Sequence, residues 1–199
     1  VKYLKIASID AVNYHFCEYV AKKKKPTIIS TGMSTYEEIL KTQRIFNKFK
    51  TPHIFLHCTS AYPSTNSDKN LKCIPKLSSL LNEDVGFSGH GIGSVGAAGA
   101  VALGAKVVEK HVTLSRKMLG PDHAASLEFG EFTEMVNLSR GIKEALGSDQ
   151  KKFLKSEKVL HDVLIRKFVT RKNVKKSEKI NFNNVKTAVT YSKKGILPK

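Results

Sequence analysis

Short apolar runs alternate with amphipathic stretches through the first three quarters of the chain. "YLKIAS" (residues 3–8), "PTIIST" (26–31), "HIFLHCTS" (53–60), "VGFSGH" (85–90) and "KVVEKHVTL" (106–114) each predict a strand. Between them the apolar positions fall at helical spacing. One helix is expected to end near Ala21, and a second runs from a capping box of Ser34 and Glu37 through Phe49. A third covers 74–81, a small-residue fourth covers 95–104 and stops at Gly104, and a long fifth spans about 131–146.

Strict strand–helix alternation predicts an α/β fold with a parallel sheet covered by helices, and the near-continuous apolar strands agree because parallel strands are buried on both faces. A doubly wound sheet and a (β/α)8 TIM barrel both fit. A full barrel takes ~250 residues, so five strands cannot close one, and the first 150 residues read as the later, C-terminal part of a barrel. From residue 151 the texture becomes Lys- and Asn-rich with short β-like runs such as "IRKFVT". Residues 151–159 read as a linker and 160–199 as the start of a small β-rich appendage.

Composition narrows the class. The 199 residues are 41% hydrophobic, enough for a core, and no apolar run is long enough to cross a membrane. No signal peptide is legible, and Val1 in place of Met leads to the expectation that the native N-terminus lies upstream. Cys17, Cys58 and Cys73 lack CxxC spacing and read as reduced thiols of a cytoplasmic protein. The net charge of +17 favours anionic partners. It does not by itself make a nucleic-acid binder: the basic residues are spread out, the run at 22–25 reads as a helix C-terminus facing the dipole, and no nucleic-acid-binding signature is present.

Polar residues recur at the strand ends: Lys5 and Ser8, Ser30 and Thr31, Thr59, Ser60 and Tyr62, Ser88 and His90, Lys110 and His111. In a parallel α/β fold these ends share one face, where ligands bind. Hydroxyls and a lysine there suit a phosphate-bearing anion, and two imidazoles on neighbouring strand ends suit a divalent metal with open positions. Taken singly each is ordinary: a strand-end His is commonly a hydrogen-bonded structural residue, Ser34 reads as a cap, and "GHGIG" (89–93) matches neither phosphate-loop fingerprint. Repetition at five successive strands is what points to a site.

"STGMS", "HCTSAYP", "NL…I", "GFSGH", "ALGAKVVEKHVTL" and "GPDHAASLE", in this order, resemble the sialic acid synthases, over roughly residues 4–147. "GPDHAASLE" leans toward the neuraminate and legionaminate branch. The resemblance implies condensation of phosphoenolpyruvate with an N-acylmannosamine-type sugar or its 6-phosphate, on a TIM barrel followed by a small antifreeze-like (SAF) domain, as a homodimer without nucleic acid or membrane. It implies phosphoenolpyruvate contacts at Lys5, Ser8, Ser30 and Ser88, metal ligands at His90 and His111 for Mn2+ (or Mg2+/Co2+), and Tyr62 and Asp122 beside the sugar. Gly120 and Pro121 are expected to bend the loop so that Asp122 reaches it. The family's early barrel strands and the end of its SAF domain are missing from this sequence. Asp10 stands where a Glu is frequent, Ser60 where bacterial relatives carry Asn, and Tyr191 where relatives carry an arginine that reaches the partner's site. The alternative expectation is a non-catalytic fragment that binds an anion or a partner chain.

Overall fold

The computed structural model describes residues 1–190 and Ile196; the Tyr191 substitution noted above lies outside the described residues. The chain divides into two compact units, Val1–Gly147 and Ser148–Lys199.

The first unit holds five parallel strands, β1 (Leu4–Ile6), β2 (Thr27–Ser30), β3 (His53–Cys58), β4 (Val85–Gly89) and β5 (Val108–Lys110), paired in chain order. The connecting helices are α1 (Tyr14–Ala21), α2 (Tyr36–Lys48), α3 (Cys73–Leu81) and α4 (Val95–Ala102), and α5 (Phe129–Leu146) follows β5. Consecutive pairing separates the two architectures left open by the sequence, because a doubly wound sheet reverses its strand order part-way. The side chains show how far the sheet curls. A flat five-strand sheet would hold β1 and β5 about 19 Å apart, yet Lys5 Nζ lies 3.6 Å from Glu109 Oε2 and Ser30 donates to Glu109 at 3.3 Å. This is an arc of a barrel.

Period-2 alternation sorts the strand residues. Ile6, Ile29, Phe55, Val85 and Phe87 face the helices and are buried with Cys17, Phe46, Ile74 and Leu77 in one core. The register Cys58↔Ser88↔Glu109, two residues along from Ser30↔Leu56, puts the polar set on the concave side. Gly86 sits where the sheet leaves no space: a Cβ there would approach Val107 O to 2.5 Å.

Two local expectations need correction. The capping box of α2 is Thr35 with Glu38, one residue later than Ser34 with Glu37: Thr35 Oγ1 accepts from Glu38 N at 3.3 Å, and Glu38 Oε2 accepts from Thr35 N at 2.8 Å. Both pairs have the right spacing, and the turn through Met33, at φ 64, decides which is used. The fifth strand is also shorter than 106–114. Beyond Lys110 the backbone turns to Leu127, which donates to His111 O at 3.0 Å and accepts from Thr113 N at 2.9 Å.

In the second unit, residues read as linker include a 3-10 turn (Lys155–Glu157) and the start of α6 (Lys158–Leu164). Antiparallel strands β6 (Arg166–Thr170) and β7 (Val185–Val189) follow, and "IRKFVT" is the first of them. Among the described residues no helix is long and apolar enough to cross a membrane.

Candidate active site

The C-terminal ends of β1 to β5 and the loops after them enclose a cavity of about 520 Å3. Seven of the eight predicted site residues line it: Lys5, Ser8, Ser30, Tyr62, Ser88, His90 and His111. The eighth, Asp122, is not a lining residue, but its Oδ2 lies 3.9 Å from His111 Nδ1. The loop that brings it there turns at Gly120, whose φ of 144° favours glycine, and Ser126 donates to Asp122 O at 2.7 Å.

On one wall, Lys5 donates to Ser30 Oγ at 2.9 Å and pairs with Glu109, while Ser88 donates to Glu109 Oε1 at 2.8 Å. Ser8 donates to Cys58 Sγ at 3.5 Å and accepts from Gly32 N at 3.0 Å. The wall thus presents an ammonium and two hydroxyls tied together by one carboxylate, with the Ser8 hydroxyl held separately by Gly32 N and Cys58. On the other wall, Tyr62 stacks on His90 with ring centroids 4.1 Å apart, and His90 meets His111 edge-on at 5.1 Å.

The electrostatics follow from this packing. Burial, and then His90, push His111 below the usual imidazole range, so it is neutral near pH 7. For His90 burial acts downward, but hydrogen bonds with Cys58 and the Thr59 carbonyl outweigh it and raise the ring. Cys58 is the reverse: burial acts upward, and hydrogen bonding with His90 and Ser8 brings it down. Tyr62 is raised by burial, then by Cys58.

Whether these groups suit a divalent metal can be tested on the rings. In its neutral form His90 donates Nδ1–H to Thr59 O at 2.9 Å, which leaves Nε2 as the lone-pair nitrogen; a carbonyl behind a ligating imidazole is the usual supporting arrangement. His111 is neutral and 5.1 Å away, ring to ring. Two imidazoles fit a metal that keeps positions open for water and substrate. Among the described residues no cluster of three or more His, Cys, Asp or Glu donors accompanies them.

Several strand-end residues do other work. Thr31 Oγ1 donates to Leu56 O, and Thr59 Oγ1 to Asp68 O. His123 Nδ1 meets Thr113 Oγ1 at 2.7 Å, and Lys110 donates to the carbonyls of Gly91 and Ala125. Glu109 and Cys58 were missed as site residues. Both could have been found: each shares the strand parity of Ser88 through the β3–β4–β5 register, and an acid inside an apolar strand is a signal in itself.

Comparison with known proteins places the chain as a whole. A family model described as the NeuB family matches residues 1–151. The chain is 44% identical over 184 residues to a pseudaminic acid synthase of Campylobacter jejuni, covering 92% of this chain and 53% of that protein. It is 38% identical over 172 residues to the N-acetylneuraminate-9-phosphate synthase of Homo sapiens, covering 86% and 48%. Among solved structures, an N-acetylneuraminic acid synthetase from Leptospira borgpetersenii, crystallised with citrate, superposes with a TM-score of 0.76 at 36% identity, covering 80% of this chain and 56% of that one. The chain therefore spans about half the length of the curated relatives it matches. Overall identity does not favour the neuraminate branch that "GPDHAASLE" suggests.

Proposed function

The chain belongs to the NeuB family, and on that premise we propose that it carries the anion- and metal-binding part of an enzyme that condenses phosphoenolpyruvate with an N-acylmannosamine-type sugar or its 6-phosphate. The product is a nine-carbon 2-keto sugar acid, released with phosphate. The observation that carries this reading is the convergence of seven of the eight predicted residues on one cavity.

On this reading the Lys5 ammonium and the hydroxyls of Ser8, Ser30 and Ser88 hold the phosphoenolpyruvate anion with C3 toward the aldehyde. Glu109 keeps Lys5, Ser30 and Ser88 in register before the anion arrives, and such pre-set donors are a major source of catalysis. His90 and His111 would hold Mn2+ (or Mg2+/Co2+), which when bound supplies polarisation of the sugar's aldehyde. Tyr62 and Asp122 orient the sugar beside the two imidazoles. C3 forms the new bond to the aldehyde carbon, water adds at C2, and the C2–O bond to phosphate breaks. The working enzyme is proposed to be a cytoplasmic homodimer.

The test is phosphate release from phosphoenolpyruvate plus N-acetylmannosamine with Mn2+, for this chain alone and mixed with the N-terminal half of a relative. Turnover in either case supports the reading, and turnover only in the mixture means that strands from outside this sequence complete the site. No turnover in either, together with no Mn2+ binding, overturns it in favour of a non-catalytic anion- or partner-binding chain.

A further inference from the structure

Two lysines outside the proposed catalytic set converge on the residue next to His90. Lys69, at the end of a 3-10 turn (Ser67–Lys69), is only 4% exposed, and its Nζ donates to Asn66 Oδ1 at 2.7 Å and Thr65 O at 3.2 Å. Its head lies against the Gly91 backbone: a Cβ on Gly91 would come within 2.6 Å of Lys69 Nζ and 3.0 Å of Ser64 O. From the other side Lys110 donates to Gly91 O and, at 3.3 Å, to Ala125 O. Ser64 N donates to His90 O at 3.2 Å. Neither lysine forms an ion pair with a carboxylate among the described residues. Burying an ammonium with carbonyl partners alone is costly, and a methyl-terminated side chain would fill the same space without that cost.

We propose that Lys69 and Lys110 are positioning residues that clamp the Gly91 backbone and so set where the His90 imidazole stands. The consequence for metal affinity rests on the ligand role proposed above for His90; the clamp itself does not. Lys69 holds Gly91 from the turn after β3, and Lys110 holds it from β5, so the loop after β4 is fixed by both neighbouring strands. A water-sized gap of about 10 Å3 is all that remains beside it. Gly91 is then glycine because the Lys69 head occupies the space a side chain would take.

Two variants of the full chain test this from opposite sides, Lys69→Met and Gly91→Ala. Amide hydrogen exchange by mass spectrometry reads the clamp without metal, and a Mn2+ titration followed by electron paramagnetic resonance reads its consequence. The expected result is faster exchange confined to residues 88–93, and Mn2+ binding weakened about 10-fold, the scale for loss of a group supporting a ligand. The double variant should be no worse than the poorer single one, because both break one contact. If Lys69→Met does not fold, Gly91→Ala alone carries the test. Unchanged exchange over 88–93, or exchange raised uniformly along the chain, overturns the clamp. A native chain that binds no Mn2+ overturns the metal assignment instead, and the exchange data still decide the clamp.

Discussion

Cys17 has no exposure at all, and burial, then the Asp10 carboxylate, push its thiol up to about 11. Only thiolate reacts with an alkylating agent, so Cys17 should stay unmodified by iodoacetamide at pH 8 while the half-exposed Cys73 is labelled, and react only after denaturation; peptide mass spectrometry reads the difference. Glu109 is the residue on which one wall of the cavity depends, since one carboxylate organises a lysine and two serines. Glu109→Gln should lower phosphoenolpyruvate-dependent phosphate release by about 10- to 100-fold, the range for a hydrogen bond to a charged partner. Turnover equal to the native protein would remove Glu109 from the site. His111→Ala should abolish metal-dependent turnover altogether, and residual Mn2+-stimulated activity would count against its role as a ligand.

At the scale of elements, the start of α2 shows how a correct rule can be applied one residue off. Ser34 with Glu37 and Thr35 with Glu38 are equal on spacing, and only the folded turn aligns Thr35 with the free N–H groups. Thr35→Ala should therefore cost about 1 kcal/mol in a urea unfolding experiment, and Ser34→Ala should leave the midpoint unchanged. The strands themselves were legible because period-2 patterning and continuous apolar runs report burial directly. Their ends were not: residues 111–114 look as β-like as 108–110, and what stops β5 is Leu127 taking over the pairing.

For the whole molecule, the charge is unevenly divided between the two units, since more than half of the +17 belongs to Ser148–Lys199. The segment joining the units, residues 147–154, is exposed throughout and lacks regular structure. Brief trypsin treatment should cut first at Lys151 or Lys152 and leave a fragment of the first unit resistant. First cuts inside the β1–β5 region would contradict that division.

The sequence by itself determined the alternation of strands and helices, and with it the parallel sheet and the face on which Lys5, Ser8, Ser30, Tyr62, Ser88, His90 and His111 gather. This is because side-chain period and chain direction are local properties. Tertiary structure alone decided that the sheet curls enough for Lys5 and Glu109 to meet across five strands, that Lys110 turns to Gly91 and not to the cavity, and that Lys69 is buried beneath the glycine loop. Those outcomes depend on sheet curvature and on which residues distant in the chain compete for the same space, neither of which any local pattern of hydrophobic and polar residues encodes.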